Sequence, residues 1–329
     1  MLKPTVDVSD ILRKREYGLV VLILVVGFIV SVVDSGFLDQ GNLRDILVRS
    51  APTAIVACGV MLVVVTGEID ISVGSLIGLL ASLMGILISE NRMGLSLWIG
   101  LPATLLAGTL MGMITGLLVT IGKVPSIIAS LGLLTLLRGV TMLIMQGENI
   151  DGLPAPLTSQ AKYGFWGLPI SLWAAMFVIA FTALLIKATP LGKRLYAVGS
   201  SSYAAKMIGL SQFRLKLFVF SYVGLLTAIA TIVEVPRLPK IESGIGVGFE
   251  LLVVTCVVVG GVSISGGRGS IWGVLLAVLL MTMIRPVLTF LDVGEAGEKW
   301  TKAIQGGFII LAVVSDSLLS RKSQARSHT

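Results

Sequence analysis

"VVVTGEIDISVGSLIGLLAS" (residues 63–82) places two carboxylates, Glu68 and Asp70, between two apolar runs in a chain where charge is scarce. The 329 residues are 55% hydrophobic and only 13% charged, with a mean hydropathy of +0.97. A soluble domain carries about 25% charged residues. So low a fraction, spread along the whole chain, means that most of the sequence faces lipid or other apolar helices. The protein is read as an all-α polytopic membrane protein, and the acids of residues 63–82 as a polar break between two of its helices.

A spanning helix needs about 20 mostly apolar residues. Ten segments qualify: 17–35, 46–66, 72–89, 95–121, 125–145, 166–187, 213–233, 247–262, 271–291 and 302–320. The eighth is short and ends in glycine. Residues 1–16 carry no cleavable signal, because the first long apolar run begins near Leu19 and lacks a cleavage site, so that run stays as the first helix. With ten helices both termini share one side. If that side is the cytoplasm, 15 of the 25 Lys and Arg lie inside and eight outside, with Arg138 and Arg285 within helices. The positive-inside rule therefore favours N-in, C-in. TGEID and the loop 188–212 are then cytoplasmic. The same distribution accounts for the net charge of +7 without nucleic acid, for which no basic run with interleaved aromatics is present.

Glu68 and Asp70 make a poor acid–base pair, since positions two apart on a helix point to different faces. His328 is the one histidine and lies in the C-terminal tail, and neither Cys58 nor Cys256 is near enough in sequence to suggest a metal cluster. Two readings remain for this stretch. Asp70 or Ser72 can accept hydrogen bonds from the free N–H groups that open helix 72–89, or the acids line a substrate path.

A second unusual stretch, "VVVGGVSISGGRGSIWG" (257–273), holds glycines that let helices approach closely or break within the bilayer. It is no P-loop, because no lysine follows in GxxxxGK[ST] spacing. "GSLIGLLA" (74–81) also echoes "GSIWGVLLA" (269–277), as an internal duplication would. In the longest basic loop, "TPLGKRLYAVGSSSYAAKMIGLSQFRLK" (189–216), GSSS offers N-caps and YAAKMIGL is expected to form a short helix ended at Gly209. Arg138 and Arg285 are placed near helix ends, where they would snorkel.

Taken together, these stretches resemble the membrane permeases of bacterial ABC sugar importers, the ribose, xylose, arabinose and galactose type. "TGEIDISVGS" is similar to T-G-G-I-D-L-S-V-G-S, and "VPSIIASLGLLTLLRGV" (124–140) to P-x-F-I-x-T-L-G-x-x-x-x-x-R-G. "GKRLYAVGSSSYAAKMIGL" resembles G-R-x-x-Y-A-I-G-G-N-x-x-A-A-x-x-S-G-I, and the glycine-rich stretch resembles V-I-G-G-T-S-L-S-G-G-x-G-x-x-x-G. "IQGGFIILAVVSD" resembles the usual end. The signature residues are Gly67, Asp70, Ser72, Gly74, Ser75, Gly260, Gly261, Ser263, Gly266, Gly267 and Gly269.

The resemblance implies one permease domain over 1–329, with a cytoplasmic N-terminal segment (1–16), a coupling loop (188–212) and a cytoplasmic tail (321–329), in the bacterial inner membrane. It implies a second permease subunit, an ATP-binding subunit on the cytoplasmic side that carries the ATP and Mg, and a periplasmic substrate-binding protein. No cofactor, catalytic residue or metal is expected on this chain. Gly199, Ser200, Ala204, Ala205 and Gly209 would meet the ATPase. The cargo is expected to be a pentose, hexose or 6-deoxyhexose moved by alternating access. A branched-chain amino-acid or autoinducer-2 permease is the alternative within the superfamily, and an ion-coupled secondary transporter the rival outside it. Four departures from the pattern stand out: Glu68 replaces a glycine, Ser200–Ser201 a Gly-Asn, Ile208 a serine, and "ELLVVTCVV" has lost its aspartate. They point toward the rhamnose and autoinducer-2 subgroups.

Overall fold

The computed structural model describes residues 8–297, 299–311 and 314. Among these the chain is helical with no strands, and ordered as α1 (Val8–Val33), α2 (Gln40–Val65), α3 (Val73–Ile88), α4 (Leu97–Thr120), α5 (Ser126–Met145), α6 (Ala155–Lys162), α7 (Ile170–Ala188), α8 (Pro190–Ser200), α9 (Ser202–Met207), α10 (Gln212–Glu234), α11 (Phe249–Val259) and α12 (Ile271–Phe290). Seven of them (α1, α2, α4, α5, α7, α10 and α12) are long and apolar enough to cross a membrane, and α3 and α11 are shorter apolar helices. Residues 299–311 are helical apart from the long apolar seven and begin the tenth expected span. Most of its second half, the tail 321–329 and residues 1–7 lie outside the described residues.

α2 is the centre of the bundle. From Ala51 to Val65 every residue is buried, because a helix that is apolar all round finds no water-facing side to present. α10, α12, α7 and α11 pack around it. The closest pairing is between α4 and α10, and it depends on small residues. A Cβ on Gly108 would sit 2.6 Å from the Gly224 carbonyl oxygen, and one on Gly112 would sit 2.2 Å from that of Phe220. With Gly116 they form a GxxxGxxxG stripe, which lets two backbones approach without a hydrophobic driving force between them.

Three expectations change. The loop 188–212 is mostly helical: Thr189 caps α8, whose Pro190 occupies the first position, and Ser201 caps α9 by accepting from the Ala204 N–H at 3.2 Å. α1 begins at Val8, so the N-terminal segment 1–16 is part helix. The eighth span is not a full helix. α11 has 11 residues, which at 1.5 Å per residue gives about 16 Å, roughly half of a ~30 Å hydrocarbon layer. Residues 241–248 precede it largely as turns, and Ile241 pairs with Ile150 in both directions (3.0 and 2.8 Å).

Candidate functional site

Non-helical backbone at membrane depth is tolerated only where protein or a water-filled cavity satisfies it. Here Arg138 does so. Its guanidinium leaves α5 toward the interior and donates to the carbonyls of Ser243 (3.1 Å) and Ile245 (2.9 Å). It therefore does not snorkel; two carbonyls freed by the missing half-helix claim it. Glu250, in the first turn of α11, accepts from the Gly248 N–H at 3.2 Å, and its other oxygen is buried without a hydrogen-bond partner. Gly74 makes room for it: a Cβ there would lie 1.8 Å from that oxygen and 2.6 Å from the Gly246 carbonyl. The signature Gly74 thus admits the half-helix against α3, and Ser75 beside it is buried.

At the end of the bundle where α2 stops, three separated motifs interlock. The Gly267 N–H donates to the Val65 carbonyl, the last residue of α2, at 2.8 Å. Gly199 of α8 lies against both, since a Cβ there would be 1.8 Å from that carbonyl oxygen and 2.5 Å from the Gly267 nitrogen. Ser200 crowds Gly267 in the same way, with Oγ 2.5 Å from where its Cβ would be. The loop itself turns by Ser263 N–H to the Arg268 carbonyl and Gly266 N–H to that of Ser263, both 3.0 Å. Gly261, Gly266 and Gly267 take positive φ. Gly260 packs on Val274 of α12, and Gly269 on Val262. Half-buried Tyr196, its hydroxyl pushed up to about 12 by desolvation, donates to the Gly269 carbonyl at 2.9 Å.

In the TGEID break, Asp70 is 2% exposed and accepts from the Ser72 N–H (2.8 Å) and hydroxyl (2.7 Å). Burial pushes this carboxyl up, and the two bonds from Ser72 oppose that. Asp70 therefore braces the turn just before α3, whereas Ser72 occupies the N-cap position without a side-chain bond to the helix. The Ile69 N–H donates to Ser126 Oγ at the start of α5 (3.1 Å). Glu68, the residue that replaces a glycine, forms an ion pair with Lys216 at the start of α10, both side chains mostly buried. Nothing in the local sequence pointed to that partner, 148 positions away.

Of the residues expected to meet an ATPase, Ser200, Ala204 and Gly209 are exposed, whereas Ala205 is 2% exposed and Gly199 packs inward. Gly209 is left-handed (φ +80°) and closes α9. The exposed side of this turn carries Tyr203, Met207 and Ile208, each more than 70% exposed. The Gln212 amide donates to the Ser202 carbonyl (2.6 Å), tying α9 to the first turn of α10. The echoing Gly-Ser pairs do not occupy equivalent places, since Ser75 lies inside α3 while Ser270 is the N-cap of α12.

Residues 42–313 match the family described as "Branched-chain amino acid transport system / permease component". The chain is 34% identical over 312 residues to the ribose import permease protein RbsC of Haemophilus influenzae, covering 94% of each chain. It is 32% identical to the protein of the same name from Escherichia coli K12, over 92% of this chain and 94% of that one. It is also 32% identical to the autoinducer 2 import system permease protein LsrC of Escherichia coli O157:H7, over 92% of this chain and 86% of that one.

Proposed function

The chain belongs to the family of branched-chain amino acid transport system permease components, and from that premise we propose that it is the membrane subunit of an ATP-driven importer that carries a monosaccharide across the bacterial inner membrane. The observation that carries the reading is the similarity over 94% of both chains to a ribose import permease. The protein is a transport subunit rather than an enzyme. ATP and Mg are handled by a separate ATP-binding subunit on the cytoplasmic face, a substrate-binding protein delivers cargo outside, and a second permease subunit completes the pore. The likeness to the autoinducer 2 permease supports a second reading for the cargo within the same mechanism.

The geometry supports a route from ATPase to bilayer. Tyr203, Met207 and Ile208, together with Ala204, present an apolar surface on a short cytoplasmic helix, the form of helix-in-groove docking. A displacement of α9 is passed to α10 through Gln212 and Ser202. α8 passes it to the end of α2 through Gly199, Ser200 and the Gly267 loop, where backbones touch and nothing compressible intervenes. ATP binding then selects one arrangement of the helices and hydrolysis restores the other.

The test is reconstitution with candidate ATP-binding and substrate-binding proteins from the same organism. ATP-dependent uptake of a sugar, lost in Met207→Asp/Ile208→Asp together with ATPase co-purification, is the expected result. Uptake that persists without the ATPase and collapses with the proton gradient would refute the reading.

A further inference from the structure

Residues 241–248, IESGIGVG, lie as a strap along one face of α3. Gly74, Gly78 and Gly85 share that face, being four and seven residues apart. A Cβ on Gly85 would be 2.6 Å from Ile241 Cδ1, one on Gly78 3.1 Å from the Ile245 carbonyl oxygen, and one on Gly74 2.6 Å from that of Gly246. The strap therefore follows α3 over a row of glycines. Its own glycines, Gly244, Gly246 and Gly248, leave its backbone free to change conformation, and the last two already take positive φ. Its other side borders a cavity of about 630 Å³, to which Ile245, Gly246, Val247 and Gly248 contribute wall.

Two charged groups act on this strap. Arg138 of α5 pins its middle, and both bonds, to Ser243 and Ile245, come from Nη1 alone. Its other N–H groups have no acceptor among the described residues. Glu250 takes the Gly248 N–H with one oxygen and keeps the other buried without a partner. An oxygen in that state has given up water and received nothing in return. The two groups stand over successive turns of α3. The free Glu250 oxygen is 1.8 Å from a Cβ built on Gly74, and Arg138 Nη1 is 3.1 Å from one built on Gly78. Positions four apart on a helix are roughly 5–6 Å from each other, so these opposite charges attract across about one turn without pairing.

α11 connects Glu250 to a distant contact. Beyond Val259 the chain passes through Gly260 and Gly261 into the loop whose Gly267 touches Val65 of α2 and Gly199 and Ser200 of α8. A shift that α8 imposes on this loop therefore reaches Glu250 through a single short helix.

We propose that α11 works the strap as a rod: when it slides along α3, the free oxygen of Glu250 takes Arg138, the carbonyls of Ser243 and Ile245 are released to solvent, and the strap lifts from the cavity wall. The exchange replaces two bonds from a charged donor to neutral carbonyls by one contact between two charges. These contributions are of the same order, so a push at α8 is enough to choose between the two arrangements. The proposal rests on the import reading above and adds to it a gate and the residue pair that sets it.

The experiment uses the permease assembled with its ATP-binding and substrate-binding proteins, in nanodiscs for hydrogen–deuterium exchange and in proteoliposomes for ATP-driven uptake of D-ribose or L-rhamnose. Trapping with vanadate should raise exchange across residues 241–250 of the wild type several-fold and leave α4 unchanged. Glu250→Gln keeps the shape of the side chain, puts an N–H beside the Gly246 carbonyl and removes the second seat for Arg138. It should keep the resting protection of the strap, lose the rise on trapping, and lower uptake about ten-fold, the effect of losing one bond to a charged group, with the ATP-binding subunit still co-purifying. A role for Glu250 in stability alone gives the reverse, weakened resting protection with normal uptake per folded transporter. That result overturns the proposal, as does wild-type exchange at 241–250 that trapping does not move, or wild-type uptake in Glu250→Gln. Where wild-type ATP-driven uptake is intact, such a result removes the gate alone; a wild type without ATP-driven uptake takes the import reading down as well.

Discussion

Glu68→Gln removes one partner of the buried pair with Lys216, whose side chains are 14% and 18% exposed. Breaking a buried pair from one side costs about 3–5 kcal/mol, because the remaining charge is left uncompensated. Some water reaches both groups here, so the lower end, about 3 kcal/mol, applies. Lys216→Met should cost a similar amount by leaving the Glu68 carboxylate mostly buried without its partner. The double variant leaves no charge behind, and replacing a buried pair with neutral groups is often close to neutral. Its destabilisation should therefore fall well below the sum of the two singles, with a coupling energy of about 2–3 kcal/mol. At roughly 2 °C per kcal/mol for a chain of this size, each single variant should melt about 6 °C below wild type in detergent, and the double variant within a few degrees of it. Single-variant shifts under about 1 °C, or additivity within about 0.5 kcal/mol, would refute the pairing as an energetic contact between the break after α2 and the start of α10.

Other substitutions probe the remaining contacts. Gly199→Ala drives a Cβ into backbone on two sides, 1.8 Å from the Val65 oxygen and 2.5 Å from the Gly267 nitrogen. It should sharply lower the yield of folded protein on size-exclusion chromatography. Gly209→Ala meets open space and bears only the left-handed φ of +80°, so it should cost about 1 kcal/mol and fold. Gly112→Val puts bulk where a Cβ alone would be 2.2 Å from the Phe220 oxygen; separating α4 from α10 should cost about 3 kcal/mol, read as a lowered Tm. Arg138→Met strips the carbonyls of Ser243 and Ile245 of their donor. Hydrogen–deuterium exchange should rise in residues 241–250 and stay unchanged in α4.

The membrane class, the seven long apolar helices and the motifs were legible without coordinates, because each is written in local composition and period, whereas the half-length eighth span was not. A run of about 20 apolar residues states its own location, and loop lysines and arginines state their side. The helix of residues 202–207 and its Ser201 cap could be read from GSSSYAAKMIG for the same reason. Arg138 could not: its neighbours in sequence allow snorkelling, and only packing brings it the bare carbonyls of 243 and 245. Gly74 read as a signature residue and Gly199 as a contact for an ATPase, yet in the fold both serve close approach, to Glu250 and Val65, distant in sequence. Glu68 shows the division most plainly. Its oddity beside a familiar motif was visible at once, while its partner, Lys216, lies in another helix, and an ion pair between helices is set by where the fold carries each charge.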